Sequence, residues 1–356
     1  MKKVLAFGLA SALFLGIVSF QISHFDDSMS EVLPRLYYYN GLEKFNCPQA
    51  VAAALNKDTI LFLGSSELSL RDEKSYPQNL FHDGNSDFNL LLFGAGYNQS
   101  LSHAIHAGAL ADDIANKKVV LNLSPQWFTE KHLSPEAFSS RFYLPMYEKF
   151  IKNPDITEET KQKVSDRCKA LLTSYPGGLA EVEAAEKVYL RKEGNRIDQF
   201  ELSAGGWFSD FRGKYQLLKQ LQPVDFAEED RVIAEEIDFD AALQEAQKQG
   251  EADCTNNDFY IYNEYYDSYI AKDFEKLKKS SRQSSYCTSP EYGDLKLFLD
   301  VCKETGLDVL LVNIPVQGFW YDYTGFPQQD RQQYYQNIRQ IADEYGVSLL
   351  DLSEHE

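Results

Sequence analysis

The stretch Thr59-Ile60-Leu61-Phe62-Leu63-Gly64-Ser65-Ser66-Glu67-Leu68 decides how the rest of the chain is read. The apolar run Ile60–Leu63 has the make-up of a buried strand, Gly64 breaks it, and two serines arrive where a helix would begin. A strand-to-helix turn of this kind presents a serine at the carboxyl end of a strand, where α/β sheets bind their ligands. Free backbone N–H groups at a helix start also stabilise developing negative charge. A serine there equally serves as a plain N-cap, and as a nucleophile it needs a base to take its proton.

Four further runs, Phe88–Phe93, Lys118–Leu123, Asp308–Asn313 and Val347–Leu352, are likewise short, apolar and mostly bounded by Gly, Pro or Ser, and read as strands. Helices separate them. One ends near Leu55, and one runs from Glu291 to Thr305 with Leu295, Phe298, Leu299 and Cys302 inward, ending at Gly306. Another runs from Gln328 to Tyr345, with Tyr335, Ile338, Ile341, Ala342 and Tyr345 on one face and Gly346 as its stop. Such alternation predicts an α/β fold whose parallel sheet is covered on both faces. The middle, about 134–289, reads as a helical insertion without strong strands. A charged helix is expected at Glu228–Gln249, with loops at Tyr175-Pro176-Gly177-Gly178 and Ala204-Gly205-Gly206. Its many glutamates read as a solvated face.

Two neighbouring strand ends add to the serine. Gly94-Ala95-Gly96-Tyr97-Asn98 follows the second strand, and its glycines let backbone N–H groups approach a ligand closely. Ser124-Pro125-Gln126-Trp127 follows the third, where Gln126 has an amide to donate. Together they point to an oxyanion hole around one serine; ordinary tight turns account for the glycines equally well.

Composition narrows the classes. With 356 residues, 44% hydrophobic and 13% aromatic, the chain has ample material for a large core. A formal charge of −19 with scattered Lys and Arg excludes a nucleic-acid partner held by phosphate contacts. Lys2 and Lys3 precede an uncharged run from Val4 to Ile22, long enough as a helix to cross about 28 Å. With no convincing small-x-small cleavage site near its end, this run reads as an uncleaved anchor. The expected organisation is therefore a membrane anchor over residues 1–25 and one outer domain over 26–356, amino terminus inside and body outside.

The five cysteines, Cys47, Cys168, Cys254, Cys287 and Cys302, lack metal-site spacing. Cys302 reads as core, and a Cys254–Cys287 disulfide closing the insertion is permitted. His103 and His106 are one helical turn apart without a third ligand, and read as helix-surface or core residues rather than a metal pair. His24, His82 and His132 offer no assignable base.

Six segments, in order along essentially the whole chain, carry a family resemblance. GSSEL at 64–68, LSPQWF at 123–128, GGWFSDF at 205–211, NNDFYIYNEYY at 256–266, SPEYGDL at 289–295 and FWYDYTGFP at 319–327 together resemble the DltD family, membrane-anchored D-alanyl transfer proteins of lipoteichoic acid modification. The resemblance implies an SGNH-hydrolase-like, flavodoxin-like sheet outside the cell. It implies Ser66 as the nucleophile, with Gly96 and Gln126 near the oxyanion positions. It implies acyl transfer without metal or organic cofactor, with lipoteichoic acid, a D-alanyl donor, the pathway's membrane acyltransferase and its D-alanyl carrier protein as partners. An acidic chain repels a poly(glycerol phosphate), so that polymer would need local cations, screening or hydroxyl and aromatic contacts.

One departure stands against it. The family places its catalytic Asp and His on a D-x-x-H block beyond the last strand, whereas here Asp351 and His355 follow the strand directly with D-x-x-x-H spacing. The expectation is a chain truncated before that block, and the alternative to catalysis is a catalytically inactive scaffold binding the membrane D-alanylation machinery. A plain secreted esterase fits less well, given the anchor and the long insertion.

Overall fold

The computed structural model describes residues 28–69, 76–82, 86–131, 133–224 and 237–356, together with Leu13 and Gly16. Five strands, β1 (Thr59–Gly64), β2 (Asn89–Gly94), β3 (Lys118–Leu123), β4 (Asp308–Asn313) and β5 (Ser348–Asp351), form one sheet in the order β2-β1-β3-β4-β5. Every pairing is parallel. This is the order of flavodoxin-like doubly wound sheets, whose chain direction switches between β1 and β3. Leu61 and Leu63 of β1, Leu121 and Leu123 of β3, and Leu91 and Phe93 of the edge strand β2 are buried, as parallel strands covered by helices require. The five strands match the expected ones to within a residue or two at their ends.

Helix α1 (Pro48–Ala54) precedes the sheet, and α2 (Ser100–Leu110) carries the chain from β2 to β3. All eleven residues of α2 are buried, because small Ala104, Ala107, Gly108 and Ala109 let neighbouring helices close on it from several sides. Gly108 is needed there: a Cβ on it would stand 2.6 Å from the Phe150 ring and 2.7 Å from Ile156. The insertion opens with the short helix Pro135–Ser139 and continues through α3 (Leu144–Lys152), α4 (Glu158–Leu171), α5 (Pro176–Ala185) and α6 (Arg196–Leu221). Beyond residues 225–236 come α7 (Phe239–Asp253) and the short helix Asn263–Tyr269, and no strand occurs among the described residues of the insertion. The chain returns to the sheet through α8 (Glu291–Glu304), which packs along α2, and closes with α9 (Gly318–Thr324) and α10 (Gln328–Tyr345).

Several expectations need correction. Tyr175-Pro176-Gly177-Gly178 is no loop: Pro176 opens α5, where its fixed φ suits the first helical position and its missing N–H costs nothing. Ala204-Gly205-Gly206 lies inside the 26-residue α6. A capping box of Asn195 and Asp198 starts that helix, and Leu217, Leu218 and Leu221 anchor its far end, so two glycines at roughly 1 kcal/mol each do not break it. The helix expected at Glu228–Gln249 starts later, at Phe239, capped by the Asp238 carboxylate; residues 225–236 lie outside the described ones. Cys254 and Cys287 are free thiols, as are Cys47, Cys168 and Cys302, and Cys302 is core as expected.

Apart from Leu13 and Gly16, the run Val4–Ile22 lies outside the described residues, as do His24 and His132. Among the described residues no helix is long and apolar enough to cross a membrane.

Candidate functional site

Ser65 and Ser66 sit at the carboxyl end of β1, beside the point where the sheet switches direction. The chain turns through a single 3-10 turn, Ser66–Leu68, rather than entering a full α-helix at once. Leu68 N–H closes the turn on Ser65 O at 3.2 Å, and Ser69 donates to Ser66 O from both its N–H (3.1 Å) and its hydroxyl (2.7 Å). The two serines are not equivalent. Ser65 is buried and its hydroxyl donates to Ala95 O on the β2 turn at 3.2 Å. Ser66 is exposed, with its side chain on the open face of the turn.

Glu67, which no sequence signal marked, holds this turn from inside. Its Oε1 accepts the Ser65 N–H at 2.7 Å and the Asn122 amide of β3 at 3.4 Å. Burial raises the Glu67 pKa, and the hydrogen bonds from the Ser65 N–H, its own N–H and Asn122 only partly offset it. Through these two contacts the carboxyl ties the turn after β1 to the end of β3.

Gly96 lies directly beside Ser66: a Cβ built on it would stand 3.8 Å from the Ser66 Cβ. Its turn is clamped by the insertion, where Arg141 donates through Nε to Gly96 O at 2.6 Å and lays its guanidinium over Tyr97, 5.7 Å from the ring centroid. Tyr97 takes φ 75°, a strained conformation for an aromatic residue that this contact helps to hold. Arg141, 45 residues away in sequence from Gly96, was not legible as part of the site.

Gln126 is exposed on the 3-10 turn Pro125–Phe128 after β3, near the Tyr321 hydroxyl, which is hydrogen-bonded to Tyr286 at 2.8 Å. It lines a cavity of about 460 Å³ over the ends of β3 and β4, together with Ser124, Tyr286, Gln317, Trp320 and Tyr321. Burial raises the Tyr321 pKa above its ordinary value. The three expected site residues thus occupy the ends of three adjacent strands, with Gly96 beside Ser66 and Gln126 facing the neighbouring cavity.

The histidines divide by burial. His103 is fully buried on α2 behind the serine turn, its ring 5.9 Å from that of Trp127. Burial drives its pKa down to about 3, against a weaker opposing effect of the Gly64 backbone, so it is neutral at physiological pH. His106 packs against Phe45 and Phe93, and burial holds its pKa well below the ordinary histidine value. Both are core, and among the described residues no three His, Cys, Asp or Glu side chains gather to hold a metal.

Asp351 and His355 do not pair. Asp351 accepts from Asn313 at 3.1 Å, from the Ser353 N–H at 3.1 Å and from Arg339 at 2.5 Å. Burial acts to raise its pKa, but the Ser353 N–H and the Arg339 guanidinium outweigh that and hold it below the usual carboxylate value. The His355 ring is exposed, with Glu354 as its nearest carboxylate at 3.9 Å.

Fold and site together define an α/β protein with a doubly covered parallel sheet and an exposed serine at its switch point. The sequence profile described as "DltD protein" matches residues 43–356, and the chain belongs to the DltD family. Protein DltD of Bacillus subtilis (strain 168) is 31% identical over 300 residues, which cover 82% of this chain and 74% of that protein. Protein DltD of Staphylococcus aureus (strain NCTC 8325 / PS 47) is 26% identical over 295 residues, covering 82% and 72%. The corresponding protein of Lacticaseibacillus rhamnosus is 27% identical over 322 residues, covering 85% and 71%.

Proposed function

We propose that this protein carries out serine-dependent acyl transfer in the D-alanylation of lipoteichoic acid, on an SGNH-hydrolase-like sheet. Membership of the DltD family supports the role in D-alanylation. The observation that carries the chemistry is the placement of Ser66, exposed at the end of β1 and facing the side of Gly96 on which a Cβ would stand. Ser66 Oγ bonds the D-alanyl carbonyl carbon, the donor oxygen or sulfur leaves with the serine's proton, and a polymer hydroxyl then takes the acyl group and returns a proton to Ser66. The Gly96 N–H and the Gln126 amide are assigned to the oxyanion of the tetrahedral intermediate. The partners are lipoteichoic acid, a D-alanyl donor, and the membrane acyltransferase and D-alanyl carrier protein of the pathway. The run Val4–Ile22 is assigned as a single membrane anchor with the amino terminus inside and the body outside the cell.

A second reading, a scaffold that organises the membrane machinery without chemistry, is favoured by the separation of His355 from Asp351. Treatment with an activated ester probe separates the two. Covalent labelling that disappears in Ser66→Ala is expected for the enzyme; a wild-type chain that stays unlabelled under conditions that label a known serine esterase fits the scaffold alone.

A further inference from the structure

Helix α6 (Arg196–Leu221) has two opposite faces, and both are apolar. Leu202 and, toward the carboxyl end, Gly213, Leu217, Leu218 and Leu221 are buried against the protein. On the other side Ile197, Phe200, Trp207, Phe208 and Tyr215 stand 67%, 71%, 49%, 60% and 49% exposed. With Ala204 and Phe211 between them, these residues recur at intervals of three and four, the period of one helix face, along about 27 Å of helix. A helix docked on a soluble core by one face has no use for a second apolar stripe of this length.

We propose that this outer stripe lies in the headgroup region of a lipid bilayer, as an interfacial helix parallel to the membrane surface. This rests on the assignment of Val4–Ile22 as a membrane anchor. Three observations choose lipid as the occupant. The stripe is built from Trp, Phe, Tyr and Ile, the residues that sit at a membrane interface. Its helix carries four cations, Arg196, Arg212, Lys214 and Lys219, against the three carboxylates Asp198, Glu201 and Asp210, a net of +1 in a chain whose net charge is −19. An acidic body approaching an anionic membrane is repelled less along such an element than along α7, which has Asp240, Glu245, Glu251 and Asp253 against Lys248.

The third observation is position. The carboxyl half of α6 packs on the turns Leu33–Tyr38 and Leu42–Asn46, the part of the fold that follows the Val4–Ile22 run in sequence. The approach is close enough to need a glycine: a Cβ on Gly213 would stand 2.3 Å from Asn46 O. Arg35 adds a hydrogen bond to Leu221 O at 3.3 Å. The stripe is thereby fixed to the segment through which the body is tethered, and the anchor and the helix hold the domain at two points.

The test uses the full chain reconstituted in vesicles of phosphatidylglycerol and phosphatidylcholine, with and without lipid brominated on the acyl chain near the headgroup. Bromine quenches only tryptophans in contact with lipid. Trp127 is buried and Trp320 half-buried beside Gln126, so Trp207 is the exposed reporter. Brominated lipid should quench the wild type, and Trp207→Phe should remove most of that quenching. The double variant Phe200→Glu with Phe208→Glu should lower it while far-ultraviolet dichroism and melting temperature hold. Quenching that persists in Trp207→Phe, or that is absent from the wild type, overturns the proposal. Shielding of Trp207 from aqueous acrylamide without bromolipid quenching, in a chain that runs as a dimer, assigns the stripe to a second copy instead. Flotation after an alkaline wash reads the anchor separately: a chain that floats unquenched keeps the anchor and loses the stripe, whereas one that never floats loses both.

Discussion

A Cβ placed on Gly96 would stand 3.8 Å from the Ser66 Cβ, so the β2 turn faces the serine with room for one methyl group between them. Alanine adds only that one contact, at a backbone conformation an L residue adopts without strain. Gly96→Ala should therefore keep both folding and serine labelling by an ester probe. Gly96→Leu extends a branched side chain across the space beside Ser66, where an acyl group would sit. It should cut the labelling rate by about tenfold or more while the melting temperature changes little. Equal labelling of the leucine variant and wild type would remove Gly96 from the site.

Gly94, two residues earlier, is tested in the opposite sense. Its Cβ would stand 2.1 Å from Gly64 O, the neighbouring strand's backbone, and 2.9 Å from Leu68. Backbone cannot swing aside as a side chain can. Gly94→Ala should destabilise the chain by about 1–3 kcal/mol or more and disturb the Ser65–Ser66 turn with it. Urea unfolding measures the first effect, and labelling of the folded fraction the second.

The two serines should separate by function. Ser66→Ala is expected to lower D-alanine ester on lipoteichoic acid by about a thousandfold in turnover, with stability unchanged, because the exposed hydroxyl holds no partner the fold depends on. Ser65→Ala removes the 3.2 Å hydrogen bond to Ala95 O and should cost about 1 kcal/mol of stability. Complementation of cells lacking the native protein, with ester content as readout, checks both. If Ser65→Ala abolished transfer and Ser66→Ala did not, the nucleophile would be misassigned by one residue.

A buried glutamate predicts how stability depends on pH. Glu291 of α8 accepts the Ser100 N–H at the start of α2 at 2.8 Å and is almost fully buried. Burial, with the nearby Asp294 charge second, raises its pKa from the ordinary 4.5 to about 8. Between those values the folded chain keeps a proton that the unfolded chain has released, so stability falls as pH rises from about 4.5 to about 8. The slope for one such group approaches about 1.4 kcal/mol per pH unit. Glu291→Gln keeps an acceptor for Ser100 and cannot ionise, so its unfolding free energy should be flatter across that window. Parallel curves for the two chains would show that Glu291 is ionised in the fold.

What was legible in the sequence was local. Each strand shows itself by an apolar run ended by a breaker, and Lys118–Leu123 and Asp308–Asn313 occupy the residues the pattern marks. Helix α10 does the same through its period and Gly346, whose φ of 65° is the left-handed stop the sequence predicts. Ser66 follows from the same logic, since a serine just past a strand must lie at the sheet's carboxyl edge. The glycine pairs misled because glycine reports that a loop is allowed, not that one forms; Gly205 and Gly206 are carried by the capping box and leucines on either side of them. Glu67 with Asn122, and Arg141 with Gly96, join residues 55 and 45 positions apart, and no periodicity encodes such a meeting. They follow only once the strand order is known.

The insertion and the sheet domain are joined by a pair that carries the last prediction. Arg167 of α4 grips Asp294 of α8 through Nε at 2.8 and 3.1 Å and Nη2 at 3.0 Å. The Asp294 side chain is nearly fully buried, so its charge has been taken out of water and is tolerated because a guanidinium meets both oxygens. Arg167→Ala would take the guanidinium away from that buried carboxylate beside Glu291, and breaking a buried ion pair from one side costs about 3–5 kcal/mol. Lysine should recover only part of the loss, since one ammonium cannot reproduce the two-pronged contact. Arg167→Met paired with Asp294→Leu should recover more than lysine does, because it removes both charges together and keeps apolar volume between α4 and α8. Denaturant titration of the three variants against wild type, at a pH where Glu291 keeps its proton, ranks them. An Arg167→Ala chain as stable as wild type would mean that the two helices are held together by their apolar contacts alone.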